Sequence, residues 1–146
     1  MDVKARQAAT LYRGRDRYNC AQAVLRTFQS EAGVSDTAVQ AASRIGSGRA
    51  EGGVCGALHA AGVLLNDPGL LERVEREFAG VAGSTRCRAI RALGRITCRE
   101  CVSLSAGLVQ PHMTRTRPGD PGFEEDLRDR EAAMREVRNR AACRRL

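Results

Sequence analysis

The residues with most chemistry to offer in this chain are six cysteines: Cys20, Cys55, Cys87, Cys98, Cys101 and Cys143. A thiolate can attack a disulfide, ligate a metal ion or pass electrons, whereas a buried thiol is a small inert hydrophobe. Which of these applies depends on the local setting of each sulfur. In a reducing, cytoplasmic setting permanent disulfides are disfavoured, which leaves ligation, redox chemistry and burial.

Local signals place several thiols at helix starts. A glycine-rich run from Gly46 to Gly62 surrounds Cys55: before it glycine is too frequent for regular structure, and after it alanine, leucine and valine recur at helical spacing. Cys55 is therefore expected in the first turn of a helix, where free N–H groups and the helix dipole favour thiolate. Asn19 is a candidate N-cap that puts Cys20 at the start of another helix, with Val24 and Phe28 on its inward face and Gly33 at its end. Thr97-Cys98-Arg99-Glu100 matches a capping box, which puts Cys98 first in its helix and Cys101 one turn on. Cys87 follows the turn Gly83-Ser84-Thr85.

Cys98-x-x-Cys101 has the spacing of a redox dithiol, although no βαβ pattern accompanies it. Arg86, Arg88, Arg91, Arg95 and Arg99 surround Cys87 and Cys98 with no acid before Glu100; any that face inward would favour thiolates. Charge and helix dipole together predict Cys98 as the thiol of lowest pKa, with Cys101 as its resolving partner and Cys55 as a further reactive candidate. His59, one turn beyond Cys55, is within reach of a shared metal on spacing alone, but a lone histidine on a helix is more often a packing residue.

The elements that must position these groups read as helices throughout. The chain has 146 residues, no tryptophan and few other aromatics, so its core must be aliphatic and rich in small residues. Asp2–Tyr12 reads as a short helix, Ser35 or Asp36 caps another, and Asp67-Pro68 opens an amphipathic helix that ends at Gly80–Gly83. The helix begun at Cys98 is expected to stop at Pro111. Residues 111–122 then have linker composition, and 123–146 read as a charged helix with acids first and arginines last. The expectation is an all-α bundle of short helices over residues 1–110, with a C-terminal extra helix.

Composition also excludes some functions. No apolar run approaches the ~18–20 residues of a membrane-spanning helix, and the N-terminus lacks a signal-peptide stretch, so a cytoplasmic protein without membrane insertion is expected. The formal charge is +7 and almost wholly arginine, with Lys4 the one lysine. Basicity of this kind does not by itself indicate a nucleic-acid partner.

Four segments together carry a resemblance: NCAQAVL at Cys20, GVCGAL at Cys55, F-x-x-x-x-G-x-x-x-C-R from Phe78 to Arg88, and C-x-x-x-V from Cys98 to Val102. In this order they resemble the C_GCAxxG_C_C family of small helical bacterial and archaeal proteins described as redox-active. The likeness spans about residues 5–110. It implies that Cys20, Cys55, Cys87 and Cys98 form the functional set. It also suggests kinship with the domain of split-Soret cytochromes, where a cysteine-bound iron–sulfur centre accompanies haem. No haem is implied here, because Val102 follows Cys101 where C-x-x-C-H would need histidine. Ala60 replaces the closing glycine of the family motif, which would crowd a ligand needing bare backbone there, and Cys101 and Cys143 are additions.

The resemblance and the local reading lead to one expectation: Cys20, Cys55, Cys87 and Cys98 meet at one redox site. There they either ligate an iron–sulfur cluster for electron transfer, making an electron carrier, or a reactive and a resolving thiol cycle between dithiol and disulfide, in an oxidoreductase. The redox partner is unspecified. A structural zinc module is the alternative, disfavoured because ligands more than thirty residues apart are unlike paired zinc ligands. A basic interaction module is another, disfavoured because the arginines and acids of the tail nearly cancel.

Overall fold

Asn19, Ser35, Asp67 and Thr97 each close a helix N-terminus, as their residue types predict. The computed structural model describes residues 3–113 and, beyond them, Glu124, Glu125, Arg128, Glu131, Ala132 and Arg135, which are helical and exposed. Among the described residues before 114 are eight α-helices and no strand: α1 (Val3–Leu11), α2 (Cys20–Thr27), α3 (Gln29–Ala32), α4 (Asp36–Ala41), α5 (Gly56–Leu65), α6 (Pro68–Ala82), α7 (Cys87–Leu93) and α8 (Cys98–Met113). The protein is an all-α bundle. The rest of the linker and of the charged C-terminal helix, with Cys143, lies outside the described residues.

Helices α2, α5 and α8 pack on one another at the centre; α1 lies against α8 and α2, and α6 against α8 and α5. Their shared core is aliphatic, as the composition requires. Phe28, Phe78, Leu58, Leu65, Val24 and Val102 are its largest fully buried side chains. Ala21, Ala57, Ala60 and Ala61 are fully buried as well, which lets the α2 and α5 backbones approach closely. Gly62 extends the same principle to α6, since a Cβ there would lie 3.2 Å from the Leu71 side chain.

The structure departs from the sequence reading at two helix ends. The helix from Cys20 does not run unbroken to Gly33: it ends at Thr27, and Phe28 leaves helical geometry before the short α3. Two local bonds account for the break. The Thr27 hydroxyl donates to the Ala23 carbonyl at 2.7 Å, and the Thr27 carbonyl accepts from Lys4 Nζ at 3.1 Å, a partner from α1 that replaces the next helical turn. At the other end α8 passes through Pro111 to Met113. Proline keeps helical φ and forgoes only its own N–H bond, so close to the C-terminus it does not stop the helix.

Loops hold the helix starts in place. Asn19 accepts from the Gln22 amide at 2.9 Å while Gln22 Oε1 accepts from the Asn19 amide at 3.0 Å, a reciprocal cap on α2. Its Nδ2 also donates to the carbonyls of Ala42 and Ser43, which ties the approach to the glycine run onto α2. Further along, the Cys55 amide donates to the Thr85 carbonyl at 2.8 Å, joining the end of the run to the segment ahead of α7. The start of α5 is thus bonded through backbone to the segment ahead of α7, and the start of α2 through the Asn19 side chain to the approach to the glycine run.

Candidate functional site

Cys20, Cys87 and Cys98 are the first residues of α2, α7 and α8, and Cys55 is the N-cap of α5. The structure brings these four thiols, and Cys101 with them, to the wall of one cavity of about 50 Å³. Such a volume holds a few water-sized groups. Cys55 and Cys101 are buried, at 5% and 3% exposure, while Cys20, Cys87 and Cys98 are half-buried.

Glycine makes the convergence possible. A Cβ on Gly56 would sit 2.5 Å from the Cys20 sulfur and 3.2 Å from the Ile45 carbonyl, so only glycine lets the α5 start meet the α2 start. Gly48, at φ +78°, would set a Cβ 3.3 Å from that of Cys87. The run is therefore a close-contact surface for two of the sulfurs.

The thiols are not alike. The Cys101 thiol donates a hydrogen bond to the Cys55 sulfur, and this is the largest of the effects that lower Cys55 to about 7. Burial opposes it. The Leu58 and Ala57 amides face the sulfur and assist, without closing a capping hydrogen bond. Cys101 is driven upward by the same bond, by burial and by the charge of Cys55. Of the pair, Cys55 is the more acidic thiol and Cys101 the one that keeps its proton.

Burial also raises Cys20, followed by the neighbouring Cys55, and the Ser47 amide only partly offsets them. For Cys87 burial again dominates, with Arg91 acting the other way. Cys98 is engaged by the Arg91 guanidinium and the Tyr12 phenol. Cys101, which spacing predicts as the partner of Cys98, has both Cys55 and Cys98 as neighbours, with Cys55 acting on it most strongly.

Of the five arginines around Cys87 and Cys98, Arg91 alone reaches the cavity wall. Arg99 points to α1, donating to the Ala9 carbonyl at 2.9 Å with its guanidinium 5.7 Å from the Tyr12 ring centre. The wall also holds Tyr12, Arg13, Ser47 and Ile90, none of which the sequence marked as functional. Tyr12 and Arg13 follow a helix end with no motif around them, and their place here comes from the packing of α1 on α8. His59 is half-buried and off the wall. Ala60 is off the wall too, fully buried in the core.

The family described as "Putative redox-active protein (C_GCAxxG_C_C)" matches residues 18–114, more than half of the chain. The chain belongs to this family. No curated protein and no solved structure was found to match it. Within the C_GCAxxG_C_C match lie all five thiols of the cavity, together with Ser47 and Arg91, whereas Tyr12 and Arg13 precede it.

The donor chemistry of these thiols suits iron–sulfur ligation, and all five line one cavity. Among the described residues no three histidine, cysteine, aspartate or glutamate side chains come together to hold one metal ion. Cys101 is committed to Cys55, and the Cys20 sulfur is wedged against Gly56.

Proposed function

We propose that this protein is a thiol–disulfide redox protein in which Cys55 is the nucleophile and Cys101 the resolving thiol. The observation that carries this reading is the hydrogen bond from Cys101 to Cys55 at the N-terminus of α5, which puts a thiolate and its protonated partner side by side. In the forward step the Cys55 thiolate attacks one sulfur of a partner disulfide, forming a mixed disulfide and releasing one partner thiolate. Cys101 then gives up its proton and attacks the Cys55 sulfur, releasing the second partner thiol. The protein pair is oxidised and the partner disulfide is reduced. Cys20, Cys87 and Cys98 surround the pair as further thiols able to accept the disulfide. A low-molecular-weight dithiol would reset it by exchange, taking up the disulfide and returning Cys55 and Cys101 to the reduced form.

An iron–sulfur site is the second reading, favoured by the count of thiols around one cavity. Purification without oxygen separates the two: colourless protein without iron, forming a Cys55–Cys101 disulfide on mild oxidation, supports exchange. Brown protein with stoichiometric iron would replace exchange with ligation.

A further inference from the structure

Two arginines stand at the exposed edge of the thiol cavity without carboxylate partners. Arg13, from the loop after α1, and Arg91, from α7, both line the cavity and are both exposed, while Cys55 and Cys101 are the buried sulfurs beneath. No acidic side chain lines the cavity, and among the described residues neither arginine forms an ion pair.

Both guanidiniums are held in place by contacts within the site. Arg13 lies 5.5 Å from the Tyr12 ring centre, and its amide donates to the Tyr18 carbonyl at 2.8 Å. Its backbone sits at φ 51°, a conformation that a non-glycine residue holds only when its surroundings impose it. Arg91 shares the cavity wall with Cys98 and lies near enough for the two to influence each other's charge. Unpaired, positioned guanidiniums at the mouth of an apolar cleft are suited to carboxylate or a similar oxyanion.

We infer that the physiological partner of the thiol pair is a small anionic disulfide, bound with its carboxylates on Arg13 and Arg91 and its sulfurs toward Cys55. This rests on the exchange reading above and names its substrate class. Both reactive thiols are buried within the cavity, so a small disulfide reaches Cys55 more readily than the disulfide of a folded protein does. The balance is complete: the Cys55 thiolate, the Cys101 thiol and RS–SR become the Cys55–Cys101 disulfide, one RS⁻ and one RSH, where R carries the carboxylate.

The test uses the reduced full-length chain and three probes: the symmetrical disulfides of mercaptopropionate (anionic), mercaptoethanol (neutral) and mercaptoethylamine (cationic). Acid-quenched samples are mapped by mass spectrometry for the rate at which the Cys55–Cys101 disulfide appears. The anionic probe is expected to react about tenfold faster than the neutral one, and the cationic probe slowest, a steering effect of ordinary size. In Arg13→Gln and Arg91→Gln the anionic-to-neutral ratio should fall by roughly threefold or more each. Arg73→Gln, on the exposed side of α6, controls for the overall positive charge and should keep the ratio. Equal rates for all probes, or a ratio that falls as much in Arg73→Gln, would overturn the anion subsite while leaving thiol exchange standing. Failure of every probe to form the Cys55–Cys101 disulfide would overturn the exchange reading and this inference with it.

Discussion

The Cys101 thiol donates its proton to a hydrogen bond with the Cys55 sulfur, across the junction between the first turn of α8 and the start of α5. The two sulfurs therefore differ in charge state although they share one buried environment. Removing the donor should undo this. In Cys101→Ala the Cys55 thiol is expected to return toward the ordinary range, and its thiolate fraction at pH 7 to fall by roughly tenfold, from about half. Cys101→Ser, which keeps an O–H donor, should restore much of the loss. Thiolate absorbance across a pH titration measures both, and equal titrations of the two variants would show that the hydrogen bond is not what lowers Cys55.

The same pair predicts how stability depends on pH. Cys55 titrates at about 7 in the fold against 9.0 ordinarily, so between these values the unfolded chain holds the extra proton and stability rises with pH. The contribution is complete above 9.0 and is lost as pH falls through about 7. Cys20 and Cys101 are raised, so what they contribute below 9.0 is lost above it, as the unfolded thiols ionise and the folded ones do not. Chemical denaturation of the reduced protein should give a maximum on the alkaline side of neutrality, with the rising limb on the order of 2 kcal/mol. That limb should vanish in Cys55→Ala. A limb of unchanged height in the variant would assign it to other groups.

Gly56 separates α5 from the Cys20 sulfur by the width of a missing methyl group. Gly56→Ala is expected to cost about 1–3 kcal/mol through overpacking, despite alanine being the better helix former. In a Cys20→Ala background the same substitution should cost less, because the closest atom is gone and the next, the Ile45 carbonyl, lies at 3.2 Å. Thermal melts of the four-protein cycle read the coupling. Strictly additive effects would mean that the sulfur is not the obstacle.

Asn19 caps α2 and also holds the carbonyls of Ala42 and Ser43, whereas Thr97 does no more than share a capping box with Glu100. Asn19→Ala should therefore cost about 2 kcal/mol and Thr97→Ala about 1 kcal/mol. Asn19→Ala should also speed amide hydrogen exchange in the glycine run between Gly46 and Gly53. Equal losses with unchanged exchange would reduce Asn19 to an ordinary cap.

Helix starts were legible in the sequence because caps are local: Asn19, Asp67 and the Thr97–Glu100 box act within four residues, as the bonds around them show. The all-α class was legible for the same reason, from helical spacing of aliphatic residues. The glycine run announced close approach, though not that Gly56 would face the Cys20 sulfur. What tertiary structure alone decided is which thiol meets which. Spacing offered Cys98 as the neighbour of Cys101, but one helical turn orients Cys101 toward the core, where α5 and α8 pack and Cys55 lies. Tyr12 and Arg13 entered the site by the docking of α1 on α8, a contact between distant segments that leaves no periodic trace in either. A cap is written in adjacent residues; a thiol's proton is assigned by whatever packing brings beside it, and that depends on the whole core at once.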